Sequence, residues 1–108
     1  MKHEPILDAM IVYNKNKPAN KFTLIDARII NLIQANQNLS TSNNHLADKC
    51  FATAATIQKS INKLHNHNLI TKQVSFIDGK KQRILTCNQQ NIEKFIKENN
   101  AWQTEKLT

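Results

Sequence analysis

Apolar positions recur along the chain with two different periods, and the change between them marks the architecture. Residues 6–13, ILDAMIVY, place Ile6, Leu7, Met10 and Ile11 at helical spacing. A polar loop with a proline, NKNKPANK, follows, so this stretch reads as a short helix or an extended arm. From Thr23 the pattern is clearer. Thr23 can cap a helix with Asp26 in its first turn, Ile25, Ile29, Leu32 and Ile33 recur on one face, and the helix is expected to end near Asn36. The spacer NQNLSTS reads as a polar connection. Ser42 is then the next candidate cap, leading a short helix, NNHLADKC, that directs Leu46, Ala47 and Cys50 inward.

After a break at Phe51-Ala52, Thr53 can cap a third helix whose inward positions are Ile57, Ile61 and Leu64. Asn68 stands where that helix must stop, and Asn accepts the left-handed C-terminal conformation more readily than other non-glycine residues. The period then becomes two. Residues 69–77, LITKQVSFI, alternate at Val74 and Phe76, QRILTC at 82–87 is a second β-prone run, and Asp78-Gly79 between them is a strong hairpin turn signal. In the tail, Asn91 is a candidate cap for a last helix with an apolar stripe of Ile92, Phe95 and Ile96, and Trp102 lies beyond. That stripe is either core cover or a dimer contact.

Composition narrows the function classes. The chain of 108 residues is expected to form one domain, with a core at 22–88 and a C-terminal helix and tail at 91–108. A core this small is marginal, and a partner subunit would help it. The single glycine, Gly79, argues against phosphate-cradling loops and the nucleophile elbow, which need glycines at fixed spacing. Cys50 and Cys87 form no CxxC pair, no apolar stretch is long enough to cross a bilayer, and the start MKHEP is no signal-peptide pattern. The expectation is a cytoplasmic protein with reduced thiols and no membrane association.

Charge is unevenly placed. Residues 1–44 carry five bases and three acids, residues 45–89 seven bases and two acids, and residues 90–108 three of each, within a net charge of +7. A basic centre suits a polyanionic partner, with solvated lysines as the plainer alternative. No Ser/His/Asp spacing or carboxylate pair supports catalysis, so no enzyme and no cofactor is expected. His65 and His67 are two apart on a helix and do not face each other, which argues against a metal site.

At residues 46–70, LADKCFATAATIQKSINKLHNHNLI, the chain resembles the helix-turn-helix segment of winged-helix DNA-binding proteins. The family pattern has a Leu-Ala opening, a turn, a Ser or Thr cap, a Thr with aliphatic positions, a Leu ending the recognition helix and Gly-Leu-Ile leading into the wing. Leu46-Ala47, Thr53, Thr56-Ile57, Ile61, Leu64 and Leu69-Ile70 occupy those positions without insertion. The stretch Phe22 to Thr86 is similar to small winged-helix proteins and to replication-initiator N-terminal domains of phages and plasmids. Four residues depart from the pattern. Phe51 replaces the turn glycine, Ala54 and Ala55 stand where many relatives carry basic or polar groups, and His45 replaces a capping-box Glu.

The resemblance implies a mostly α fold with a small β-hairpin wing, an α+β winged helix-turn-helix. It also implies double-stranded DNA as partner, with a homodimer expected. On the third helix the inward set turns Ala55, Gln58, Lys59, Asn62 and Asn66 outward, with Lys63 beside them. Gln and Asn suit adenine, Lys suits guanine or phosphate, and an Ala methyl can pack on thymine. Thr53 and Thr56 at the helix start suit phosphate, as do Lys80, Lys81 and Arg83 in the wing, where an arginine could also enter a narrow minor groove. The role expected is transcriptional regulation or accessory binding at a plasmid or phage replication or transfer origin. The rivals are a protein-interaction module of the same fold, for which Ala54 and Ala55 speak, and a ligand- or metal-responsive repressor.

Overall fold

A computed structural model of the chain describes residues 5–16, 21–36, 38–40 and 42–99. The elements run α1 (Pro5–Asn16), α2 (Leu24–Asn36), β1 (Asn38–Ser40), α3 (Asn43–Cys50), α4 (Ala54–Asn66), β2 (Ile70–Ile77), β3 (Lys80–Cys87) and α5 (Gln89–Glu98). This is the mostly helical α+β layout with a hairpin wing that the periodicity predicts. Trp102 and the tail after Asn99, like the loop at 17–20, lie outside the described residues.

Local chemistry accounts for nearly every helix boundary. Pro5 occupies the first position of α1, where its fixed φ suits a helix and its missing N–H is not needed. The stretch that could have been an arm is thus a full helix. It buries Ile6, Ala9 and Met10, whereas Ile11 stays 47% exposed. At α2, Thr23 and Asp26 cap reciprocally: Thr23 N donates to Asp26 Oδ2 at 2.8 Å, and Asp26 N donates to Thr23 Oγ1 at 3.4 Å. The helix ends at Asn36, as expected.

Ser42 and Thr53 cap α3 and α4 by accepting from the backbone N–H three residues on, at 3.2 Å in both cases. At the end of α4, Asn68 adopts φ 60°, its N–H donates to His65 O at 2.9 Å, and Leu69 N donates to Leu64 O at 3.0 Å. These two bonds close a Schellman motif, with buried Leu64 and Leu69 as its apolar pair. At α5 the cap differs from expectation. Asn88, not Asn91, accepts the first-turn bond, from Asn91 N at 3.2 Å. Asn91 instead donates through Nδ2 to Asn68 O at 2.8 Å, which ties the start of α5 to the α4–β2 junction.

The wing is an antiparallel hairpin closed by Asp78 (φ 53°) and Gly79 (φ 76°), with Ile77 opposite Lys80. Two consecutive positive φ values define a type I′ turn, whose twist matches that of the strands. The spacer read as a polar connection contributes a third strand. β1 pairs with β3 (Leu39 opposite Leu85), so the sheet order is β1-β3-β2. A three-residue strand of Asn, Leu and Ser has too little length to display a period; an available edge of β3 creates it.

One cluster of buried side chains runs from α1 through α5, centred on Ile29, Ile30, Ile33, Leu46, Ile57, Ile61, Leu64, Leu85 and Ile92. Ile92 and Phe95 are therefore core cover, and Phe95 packs with Tyr13 and Phe22 at ring-centroid distances of 5.6 and 5.4 Å. The turn between α3 and α4 accepts strain where the winged-helix pattern has glycine. Phe51 holds φ 54°, ψ 48° with its ring 88% exposed, and Ala52 N donates to Ala47 O at 2.9 Å.

A left-handed non-glycine residue costs about 1–2 kcal/mol. Glycine would relieve that but would add about 0.4–1 kcal/mol of unfolded-state entropy. Phe51→Gly is accordingly expected to stabilise the fold by about 0.5–1 kcal/mol, read as a rise of a few degrees in Tm by circular dichroism. A lower Tm would mean that the exposed ring makes contacts that matter more than the backbone strain.

Candidate nucleic-acid interface

The surface assembled by α4 and the wing is built from the burial of Ile57, Ile61 and Leu64, each 0% exposed. With that stripe inward, Ala55, Lys59, Asn62 and Asn66 are exposed, and Gln58 is half-buried at the edge of the same face. Thr53 and Thr56 stand together at the helix start, their hydroxyls 3.0 Å apart. The first N–H groups of α4 and its positive dipole end open beside them.

A chain of side-chain hydrogen bonds runs across this face. Asn43 Nδ2 at the start of α3 donates to Gln58 Oε1 at 2.7 Å, Gln58 Nε2 donates to Asn62 Oδ1 at 3.0 Å, and Lys72 Nζ on β2 donates to the same Asn62 oxygen at 3.4 Å. Three elements are thereby joined through one polar line. The chain also sets what the amides offer. Asn62 Oδ1 takes two donors, which uses both of its lone pairs and leaves the Nδ2 hydrogens facing outward. The paired acceptor and donor needed for adenine is not offered by Asn62 in this arrangement; donors suited to guanine, thymine O4 or phosphate are. Gln58 keeps one donor and one lone pair, so it retains a bidentate edge.

Asn43 and Lys72 are functional candidates that the sequence does not single out. Lys72 shares strand parity with Val74 and Phe76, but nothing in the sequence announces its meeting with Asn62.

Two expected contacts have a different setting from the one predicted. Lys63 turns away from the polar line: its Nζ lies 2.9 Å from Asp26 Oδ2 and 2.9 Å from the Lys21 carbonyl. Asp26 is fully buried and its Oδ1 has no partner among the described residues, so Lys63 is committed to neutralising an interior carboxylate. Arg83 is half-buried rather than free at the tip, and burial lowers its guanidinium pKa from the ordinary value. Lys80 and Lys81 are exposed at the hairpin turn. Lys59, Asn62, Lys63, Asn66 and His67 line a shallow groove along the other flank of α4, with a volume of about 380 Å³.

His67 and the two cysteines are placed for packing. The His67 ring packs tilted against Phe22 at 4.7 Å and edge-on to Tyr13 at 5.8 Å, and desolvation, reinforced by Lys63, lowers its pKa. Burial raises the Cys50 thiol and pushes Cys87 up to about 11, which disfavours the thiolates that metal binding needs. Among the described residues no cluster of His, Cys, Asp and Glu could hold a metal, and no helix is long and apolar enough to cross a membrane.

No protein-family model matches the chain, and no curated protein matches it by sequence. Solved structures do match in shape. A protein described as a possible transcriptional regulator from Methanosarcina mazei superposes with a TM-score of 0.61 at 18% identity, covering 89% of this chain and 82% of its own. A mutant of MepR from Staphylococcus aureus, bound to an oligodeoxyribonucleotide, gives 0.58 at 18% identity over 97% of this chain and 74% of its own. A second MepR mutant, from a multidrug-resistant clinical isolate of S. aureus, gives 0.55 at 18% identity, covering 94% and 76%. At this level of identity the likeness establishes the fold alone, a winged helix.

Proposed function

We propose that the protein binds double-stranded DNA, with α4 in the major groove and the wing on the backbone or in the adjacent minor groove, and that it acts as a transcriptional regulator. The observation that carries this reading is the side-chain line Asn43–Gln58–Asn62–Lys72. It fixes the polar face of α4 and the base of the wing as one surface, and Lys59, Lys80 and Lys81 extend that surface with exposed positive charge. Hydrogen-bonded amides beside exposed cations are what base-edge and phosphate recognition require in turn. The proposed contacts are Thr53, Ala55, Thr56, Gln58, Lys59, Asn62, Asn66, Lys72, Lys80 and Lys81. Arg83 supports the wing from its half-buried position, and Lys63 is assigned to the fold. The nucleotide complex of the structurally similar MepR mutant supports the same use of the fold here.

A single winged-helix unit that works as a homodimer completes the proposal, since two-fold symmetric sites require two recognition helices one turn apart. The exposed Ile11 on α1 is an apolar position outside the α4–wing surface that such pairing could cover. An accessory role at a replication or transfer origin of a plasmid or phage is the second use of the same surface, and the arrangement of binding sites separates it from regulation.

The test is a fluorescence-anisotropy titration of two duplexes, the gene's own upstream region and a random duplex of equal length, across a salt series. Preference for the upstream duplex near physiological salt is the result expected of a sequence-specific autoregulator. Equal binding with the same steep salt dependence would move the search for sites to origins. Absence of binding to both at low salt would overturn the proposal in favour of an interaction module.

A further inference from the structure

Beyond the polar line, the wing carries an apolar pair that the fold itself does not use. Val74 and Phe76 are 57% and 72% exposed, although their strand begins at Ile70, which is buried at 1%. Successive side chains on a strand alternate faces, so Ile70, Lys72, Val74 and Phe76 share one face of β2. The register adds Lys81 opposite Phe76 and Arg83 opposite Val74 on that same face. Lys72 donates to Asn62 of α4, which shows that this face looks toward the polar side of the recognition helix. The apolar pair therefore lies on the surface that a ligand seated against α4 would meet, with cations directly across the ladder.

Cross-strand packing can use part of such side chains, but more than half of each remains in water. A protein partner with an apolar face would have to desolvate Lys81 at the same time. Duplex DNA satisfies both demands at once, because its phosphates neutralise the exposed lysine while its sugar and base-step surfaces accept an apolar side chain. The reach is also suitable. Phe76 lies four residues beyond Lys72, about 13 Å along the strand, and the turn lies about 20 Å beyond it. These lengths bracket the half turn of about 17 Å that separates a major groove from the next minor groove.

We propose that Phe76, supported by Val74, is an apolar wedge that enters the minor groove beside the major groove read by α4 and presses on a base step there, with Lys81 holding a flanking phosphate. This rests on the DNA-binding reading above and deepens it: the wing recognises how easily a step is opened, which favours flexible pyrimidine–purine steps such as TA. It assigns to the wing a sequence preference independent of the amides of α4.

The experiment compares the wild-type chain with Phe76→Ala and Phe76→Leu on an A·T-rich duplex carrying 2-aminopurine at successive TA steps. Affinity, salt slope and fluorescence are read together, after circular dichroism has confirmed that each variant is folded. The wild-type chain is expected to raise 2-aminopurine fluorescence at one step per bound chain. Phe76→Ala is expected to lose that rise and about ten-fold in affinity with an unchanged salt slope, because loss of base–aromatic contact removes no phosphate contact. Phe76→Leu, still apolar, is expected to keep most of both. A Phe76→Ala variant with wild-type affinity and fluorescence would overturn the wedge while leaving DNA binding intact. A variant that loses only self-association in sedimentation would overturn it too, assigning the pair to a second copy. If the wild-type chain binds no duplex at low salt, the underlying reading fails and the wedge fails with it.

Discussion

Replacing Lys63 by Met is expected to destabilise the fold by about 3 kcal/mol, with a fall in Tm on the order of 12 °C. Asp26 is fully buried, its Oδ2 accepts from Thr23 N and Lys63 Nζ, and its Oδ1 has no partner among the described residues. Removing the ammonium leaves a carboxylate whose one remaining hydrogen bond among the described residues is the helix cap. Breaking one side of a buried pair costs about 3–5 kcal/mol. The lower end applies because the Lys63 side chain keeps 26% exposure and water can approach from its side. The double variant Asp26→Leu with Lys63→Met removes both charges and is expected to recover much of the loss, less the Thr23–Asp26 cap at about 1 kcal/mol. Urea unfolding of the wild type and both variants checks the cycle. A Lys63→Met chain within about 0.5 kcal/mol of wild type would show that water takes the place of the ammonium beside the carboxylate.

The second large effect concerns affinity. Joint replacement of Lys59, Lys72, Lys80 and Lys81 by Ala is expected to lower the salt slope of duplex binding by about 3.6 and to weaken binding about a thousand-fold at 0.15 M salt. All four side chains are exposed, so the fold should be retained. Sequence reading alone would place Arg83 in this set and omit Lys72. The structure reverses that choice, since Arg83 is half-buried and its loss would mix packing with charge, whereas Lys72 touches Asn62 on α4. Each lysine is expected to contribute about one to the slope with little dependence on DNA sequence. Anisotropy titrations at several salt concentrations would test this. An unchanged slope would mean that duplex phosphates are met elsewhere on the molecule.

Lys63 shows why a basic residue on a helix cannot be assigned from spacing alone. It stands two positions after the inward Ile61 and one before the inward Leu64, at the border of the exposed face. A lysine stem is long enough to reach either way. What turns it inward is Asp26, thirty-seven residues earlier, whose only sequence signature is that of a first-turn acid beside a threonine cap. The capping reading of Asp26 is right, but it accounts for only part of what that carboxylate does. Phe51 illustrates the opposite case. The absence of glycine at the turn implies either a changed backbone or strain, and φ 54° at Phe51 shows that strain is accepted.

The caps at Thr23, Ser42 and Thr53, the left-handed stop at Asn68, the Asp78-Gly79 turn and the buried stripe of α4 are all decided within four or five residues of chain. Hydrogen bonds and steric limits of that range depend on residue type and spacing, so the amino-acid sequence by itself determined them, and with them the order of elements and the winged-helix layout. Tertiary structure alone decided the rest. The strand at 38–40 exists because β3 offers it an edge, Lys63 serves the interior because folding brings Asp26 to it, and the Asn43–Gln58–Asn62–Lys72 line exists because three elements converge. Pairings of this kind depend on distances between segments remote in sequence. Periodicity describes which side of one element is buried, but not which side chain of another element waits there.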